Sequence, residues 1–165
     1  AGPQLQRGDI LETVQQALTA TGLPASKLEL EVTESFIMDQ SDKLISVLKQ
    51  LRHLGVTLAV DDFGTGYSSL ARLKRLPIDR LKIDRSFVRD LPFDEDDTAI
   101  ARAVIALGRS LGLRVIAEGV ESAEQATFLH QEGCHEAQGY YYSKPVSAAA
   151  AAEILAGKDT VCRTS

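Results

Sequence analysis

The chain has 165 residues, of which 44% are hydrophobic and 25% charged, with a formal net charge of −5. That suits one domain with a core of its own, and the composition is not that of a disordered segment. The acidic balance excludes a nucleic-acid polymer as partner, because such backbones are met by basic surfaces.

No apolar run reaches membrane-spanning length and no signal-peptide pattern opens the chain, so this segment is expected to make no membrane contact. Cys134 and Cys162 lie far apart, without metal-type spacing. They read as a partly buried thiol and a tail thiol in a reducing, cytoplasmic setting.

The first predicted helix runs from Asp9 to Ala20. Asp9 and Glu12 form a capping box, Ile10, Val14 and Leu18 recur at helical spacing, and Gly22 and Pro24 stop it. Leu28 to Thr33 alternates as a strand does. Ser41 caps a helix carrying Leu44, Leu48 and Leu51, which Gly55 ends; a strand from Thr57 to Val60 then leads into Asp61-Asp62. Ser68 or Ser69 opens a short helix that ends before Pro77, and Arg80 to Ile83 is the third strand. A helix from about Asp96 to Leu111 ends at Gly112, followed by a strand at Arg114 to Ala117. Ser122 and Gln125 make another capping box, for a helix stopping at Gly133. His135 to Tyr140 is the last strand, and Ser147 caps an alanine-rich helix.

This alternation predicts an α/β fold of about five parallel strands with intervening helices. A closed eight-stranded barrel takes about 250 residues, so the pattern is either a small open sheet or an incomplete TIM-like (β/α) barrel.

Acidic or polar groups fall at or near the end of each strand: Glu31 and Glu34, Asp61 and Asp62, Lys82 and Asp84, Glu118 and Glu121, and Gln138. In a parallel barrel those ends share the face that carries the chemistry. So many carboxylates need a counter-charge, which divalent cations supply. With no histidine or cysteine in the set, oxygen ligation suits Mg²⁺, Mn²⁺ or Ca²⁺. Adjacent Asp61 and Asp62 converge only if the strand stops there, and Phe63-Gly64-Thr65-Gly66 is a loop able to stop it. One aspartate bridging two ions would give the two-metal arrangement that splits phosphodiesters.

Each feature has a plainer reading. Glu29 and Glu31 fit one polar face of a strand. Asp62 to Gly66 fits a turn or a weak phosphate cradle. Lys82 fits a side chain snorkelling from a rim, and Asp94 to Asp97 a solvated helix start.

Five motifs then carry a resemblance: Glu29-Leu30-Glu31-Val32-Thr33-Glu34-Ser35, Asp61-Asp62-Phe63-Gly64-Thr65-Gly66-Tyr67-Ser68-Ser69-Leu70, Leu81-Lys82-Ile83-Asp84, Ala117-Glu118-Gly119-Val120-Glu121 and Gln138-Gly139-Tyr140. In order and spacing, from about residue 5 to residue 156, they resemble the EAL domain, with 157–165 as a tail. The resemblance implies hydrolysis of cyclic di-GMP to linear pGpG with Mg²⁺ or Mn²⁺ in a two-metal site. It implies Glu31 as a metal ligand, Asp61 as the ligand shared by two metals and Asp62 as the second metal's ligand. Lys82 would orient the attacking water, Glu118 would hold a metal or its water, and Gln138 would support that network. Glu34 would pin the Asp62-Phe63-Gly64-Thr65-Gly66 loop.

The family's Glu-Ala-Leu strand and the following asparagine strand, each supplying a ligand, do not occur in this chain. The chain is therefore expected to be the C-terminal two-thirds of such a domain, catalytic in its parent and nearly inactive alone. Its open sheet edges invite a homodimer or strand exchange, and the parent is expected to carry other signalling domains. Two other readings remain: a non-catalytic cyclic di-GMP-binding or protein-interaction module, and an unrelated barrel using one Mg²⁺ for enolate chemistry with a lysine base.

Overall fold

The computed structural model describes residues 10–34, 36, 42–66 and 70–156. Asp9, Ser35, Ser41, Tyr67, Ser68, Ser69 and Cys162, each given a part above, lie outside the described residues, as does the tail.

Helix α1 spans Ile10–Thr21 and buries Ile10 and Val14. After a 3₁₀ turn at Ala25–Lys27, the chain runs β1 (Glu29–Thr33), α2 (Asp42–His53), β2 (Thr57–Phe63) and α3 (Leu70–Leu73). It continues with β3 (Arg80–Ile83), a 3₁₀ turn at Arg85–Phe87, α4 (Glu95–Leu111), β4 (Arg114–Glu118), α5 (Ala123–Gln131), β5 (Glu136–Gln138) and α6 (Ala148–Leu155).

Helix ends follow the local chemistry. The Asp94 carboxylate accepts from Asp97 N at the start of α4, and Gly112, at φ 68°, turns the chain left-handed at its end. Ser122 and Gln125 form the capping box of α5.

Among the described residues the strands form one sheet in the order β1-β2-β3-β4-β5, with every neighbouring pair parallel. This is the α/β pattern of consecutive parallel strands that the sequence predicts. Strand alternation divides the sheet into two faces. Leu58, Val60, Leu81, Ile83, Val115 and Ala117 are fully buried in the hydrophobic core beneath the helices.

The opposite face is polar. Arg80 Nε lies 3.1 Å from Glu29 on β1, and its Nη1 lies 2.9 Å from Glu136 on β5. In a flat sheet those two strands would be about 19 Å apart. One guanidinium bridging both means that the sheet curls with this polar face concave.

Two strands depart from the sequence reading. β2 does not stop at Val60. Its pairing with β3 slips one residue between Val60 and Phe63, and Asp62 takes φ 55°. This is a β-bulge at a residue type that tolerates the left-handed region. β5 is shorter than His135 to Tyr140, because the chain folds back after Gln138 and Tyr141 N donates to Val120 O at 2.9 Å.

Candidate active site

The ends of β1 to β5 converge on Lys82. Its Nζ lies 2.6 Å from Glu31 Oε1 on β1, 3.1 Å from Asp61 Oδ1 on β2 and 2.5 Å from Glu118 Oε1 on β4. Lys82 is only 4% exposed, so it is a buried ammonium at the centre of a carboxylate ring and not a side chain snorkelling to a rim. On β5, Gln138 Nε2 donates to Glu118 Oε1 at 2.8 Å.

The bulge, and not a strand end, keeps Asp62 in this group. It senses the charges of Asp61, Asp84, Lys82 and Glu31. Burial, then the Asp61 and Asp84 carboxylates, push Asp62 above the ordinary carboxylate range.

Burial also raises Glu118, and the Lys82 ammonium offsets this only in part. Burial works against charge on Lys82, but Glu118, Glu31 and Asp61 outweigh it and hold the ammonium protonated well above its usual range. The two partners thus respond unequally to one contact. Lys82 is firmly charged, while Glu118 shares a single cation with Asp61 and Glu31 and is destabilised by their excess charge. Glu31, Asp61, Asp62 and Glu118 set four carboxylates against one ammonium.

The loop after β2 is held from two sides. Glu34, 2% exposed, accepts from Gly64 N at 2.9 Å through Oε2, and a Cβ at Gly66 would come within 3.1 Å of its Oε1. Gly64, at φ 103°, leaves room for the Phe87 ring. Thr65 Oγ1 donates to Asp62 O at 2.8 Å, and Phe63 anchors the loop in the core.

Two strand-end acids do not join the ring. Asp84 turns to Ser86, accepting from its N at 2.9 Å and its Oγ at 2.5 Å. Burial raises Asp84, but those bonds and one from Arg85 N outweigh it and hold the carboxyl low. Glu121 pairs with Arg85 Nη2 at 2.6 Å. Sequence reasoning missed Arg85 and Phe87, because their partners are identified only once the loops meet in space. Beside Glu118 opens a cleft of about 460 Å³, lined by Arg85, Glu121, Gln138, Tyr140 and Lys144 among others.

Among the described residues no three acidic, histidine or cysteine side chains are gathered tightly enough to hold an ion by themselves. The donor chemistry still fits a hard divalent cation, since every donor is an oxygen and negative charge is in excess. Asp61 Oδ1 is buried without a directed hydrogen bond, although Lys82 Nζ is within ion-pair distance of it.

The EAL domain model matches residues 1–145. The chain belongs to the EAL domain family. It is 50% identical over 151 residues to the cyclic di-GMP phosphodiesterase NbdA of Pseudomonas aeruginosa, covering 92% of this chain and 19% of NbdA. Among solved structures it resembles the PaMucR phosphodiesterase in complex with c-di-GMP, with a TM-score of 0.87 and 45% identity. That likeness covers 92% of this chain and 61% of the other. It also resembles a manganese/cy-diGMP complex of Klebsiella pneumoniae BlrP1, with a TM-score of 0.76 and 38% identity, over 83% of this chain and 35% of that one. The chain thus spans about a fifth of the curated relative's length. Its EAL fold supplies the strand-end ring around Lys82, and no helix among the described residues is long and apolar enough to cross a membrane.

Proposed function

We propose that this EAL domain, in its whole protein, hydrolyses cyclic di-GMP to linear pGpG. Water adds across one of the two phosphodiester bonds, so that one P–O bond breaks as another forms. The observation that carries the reading is the buried Lys82 ammonium among Glu31, Asp61 and Glu118, with Asp62 beside them and too little positive charge to balance them.

Glu31, Asp61, Asp62 and Glu118 would hold two divalent cations, Mg²⁺ or Mn²⁺, with Asp61 shared between them; a manganese complex of a relative supports the ion class. When bound, the ions supply the charge that draws a phosphate to an acidic site and activate water there. Lys82, whose Nζ already sits among Glu31, Asp61 and Glu118, would orient the attacking water through one of its N–H groups. Gln138 keeps Glu118 turned inward. Glu34 and the Gly64-Thr65-Gly66 turn keep Asp62 beside Asp61. The cleft beside Glu118 gives the nucleotide a place to lie.

We further propose a cytoplasmic signalling protein with other domains fused to this one, a reading supported by the bifunctional relative MucR. Pairing of two copies of the domain belongs to the same proposal.

The test is product chromatography and calorimetry on the full-length protein with cyclic di-GMP. Hydrolysis to pGpG in Mn²⁺ that stops in EDTA is the expected result. Binding without hydrolysis in either condition would refute catalysis and assign a receptor. The isolated 165-residue chain should be nearly inactive, and turnover at the full-length rate would overturn that expectation.

A further inference from the structure

The 3₁₀ turn after β3 touches the loops on both sides of it. Toward β2, the Phe87 ring fills the space that a Gly64 side chain would need. Toward β4, the Arg85 stem lies against Gly119, where an added Cβ would collide with Arg85 Cγ, and the guanidinium reaches Glu121 at 2.6 Å.

Behind this contact sits Gln125, 6% exposed. Its Oε1 accepts from Ser122 N at 3.1 Å, which a capping box requires. The same oxygen also accepts from Glu121 N at 2.6 Å, and Nε2 donates to Arg89 O at 2.7 Å. Those two bonds do nothing for the helix cap. They tie the Glu118-Gly119-Val120-Glu121 segment to the turn that follows Lys82.

We infer that Gln125 and Arg85 are positioning residues for the carboxylate ring. They lock the segment carrying Glu118 to the turn that also abuts Gly64, so Glu118 and Asp62 keep one relative placement about Lys82. Neither residue touches the ring itself. The inference rests on the proposed cation site. It goes further by naming what sets that site's geometry from outside the ligands, where such supports typically govern affinity.

Two substitutions separate the lock from the cap. Gln125→Glu keeps an oxygen for Glu121 N and Ser122 N, but it removes the donor to Arg89 O. Arg85→Met keeps an aliphatic stem over Gly119 and removes the pair with Glu121; being at an exposed position, it leaves the fold intact even if Gln125→Glu does not. In the full-length protein, each is expected to weaken Mn²⁺ binding by calorimetry roughly tenfold, the low end for such supports. Backbone hydrogen exchange at 62–66 and 118–122 should speed up together, and in Arg85→Met the melting temperature should be little changed. Rescue by Arg85→Lys, restoring most of the affinity, would support the charge pair.

Unchanged Mn²⁺ affinity in Arg85→Met and Gln125→Glu would make these contacts purely structural and overturn the inference. If the wild-type protein binds no Mn²⁺, the functional reading falls instead, and exchange decides the lock. Faster exchange at 62–66 in Arg85→Met supports it, and a change confined to 118–122 overturns it.

Discussion

Lys82→Met offers the sharpest test of the carboxylate ring. Methionine fills nearly the same volume, so the change removes charge and leaves packing largely intact. It takes the only ammonium away from Glu31, Asp61 and Glu118, which it now meets at 2.5 to 3.1 Å. Breaking a buried ion pair from one side typically costs about 3–5 kcal/mol. Glu31 is 47% exposed at its side chain and sheds part of that penalty to water, so about 2–3 kcal/mol is the better figure. In urea, with a slope of about 2 kcal/mol per molar, the midpoint should fall by roughly 1–1.5 M.

The pH dependence has a definite sign. Without Lys82, the Glu118 carboxyl, which burial already raises and the Lys82 ammonium now partly offsets, is raised further above its unfolded value. The folded state then binds protons more readily than the unfolded one, and its stability rises as pH falls. The deficit should therefore shrink between neutral pH and pH 5. Millimolar Mn²⁺ should also reduce it, by replacing the missing positive charge. Urea titrations at pH 7.5 and pH 5, in EDTA and in Mn²⁺, read all three effects. A variant as stable as the wild type at pH 7.5 in EDTA would show that the ring does not depend on Lys82 for its balance, and the reasoning would fail.

Glu34→Ala should cost about 1–2 kcal/mol, because Gly64 N loses its acceptor, whereas Glu34→Gln should cost less than about 1 kcal/mol since an amide oxygen still accepts. Equal losses for the two in urea unfolding would discount that bond. Gly108→Ala should destabilise by about 1 kcal/mol even though alanine is the better helix former, since its Cβ would collide with Val115 on β4. Val115→Ala in the same chain should recover most of the loss, and stabilisation by Gly108→Ala alone would contradict the close approach of α4 to β4. The Cys134 thiol is pushed up by burial, with bonds to the backbone opposing only in part. On a Cys162→Ser background its alkylation at pH 8 should be roughly tenfold slower folded than in urea, and equal rates would contradict its burial.

Strand alternation was the most legible part of the sequence. Glu29-Leu30-Glu31-Val32 and Arg80-Leu81-Lys82-Ile83 place Lys82 and Glu31 on one face by period alone. The sequence reading let Asp61 and Asp62 converge only if the strand stopped there, whereas β2 runs on to Phe63 through a bulge. A bulge is a relation between two strands, and nothing within Val60 to Phe63 announces which partner it slips against. Asp84 and Glu121 look as eligible as Glu118 in the sequence. Once a strand ends, a side chain's direction is set by its turn, and Ser86 and Arg85 claim these two acids. Gln125 was legible as a cap, whereas its bond to Arg89 O depends on packing against a segment 36 residues away.

The polar face carries two charged layers, and their difference decides where a cation belongs. Near the strand starts, Glu29 and Glu136 meet Arg80 and Arg114, two carboxylates against two guanidiniums. This layer is balanced and needs no ion. At the strand ends, Lys82 meets Glu31, Asp61 and Glu118, with Asp62 adding a fourth negative charge nearby. Two unit charges 4 Å apart interact with about 4 kcal/mol at an effective dielectric near 20, so each uncompensated pair there is a substantial cost to the fold. Burial first, and then neighbouring carboxylates, raise Glu118 and Asp62 in this layer. A sheet selected for stability alone would repeat the balanced layer at both ends, with arginine or an apolar residue in place of an acid. The excess is confined to the end where Glu31 still reaches water and a cleft opens beside Glu118. The destabilising charge is thus placed where divalent cations can enter from solvent and relieve it, which ties the strain of this face to its proposed chemistry.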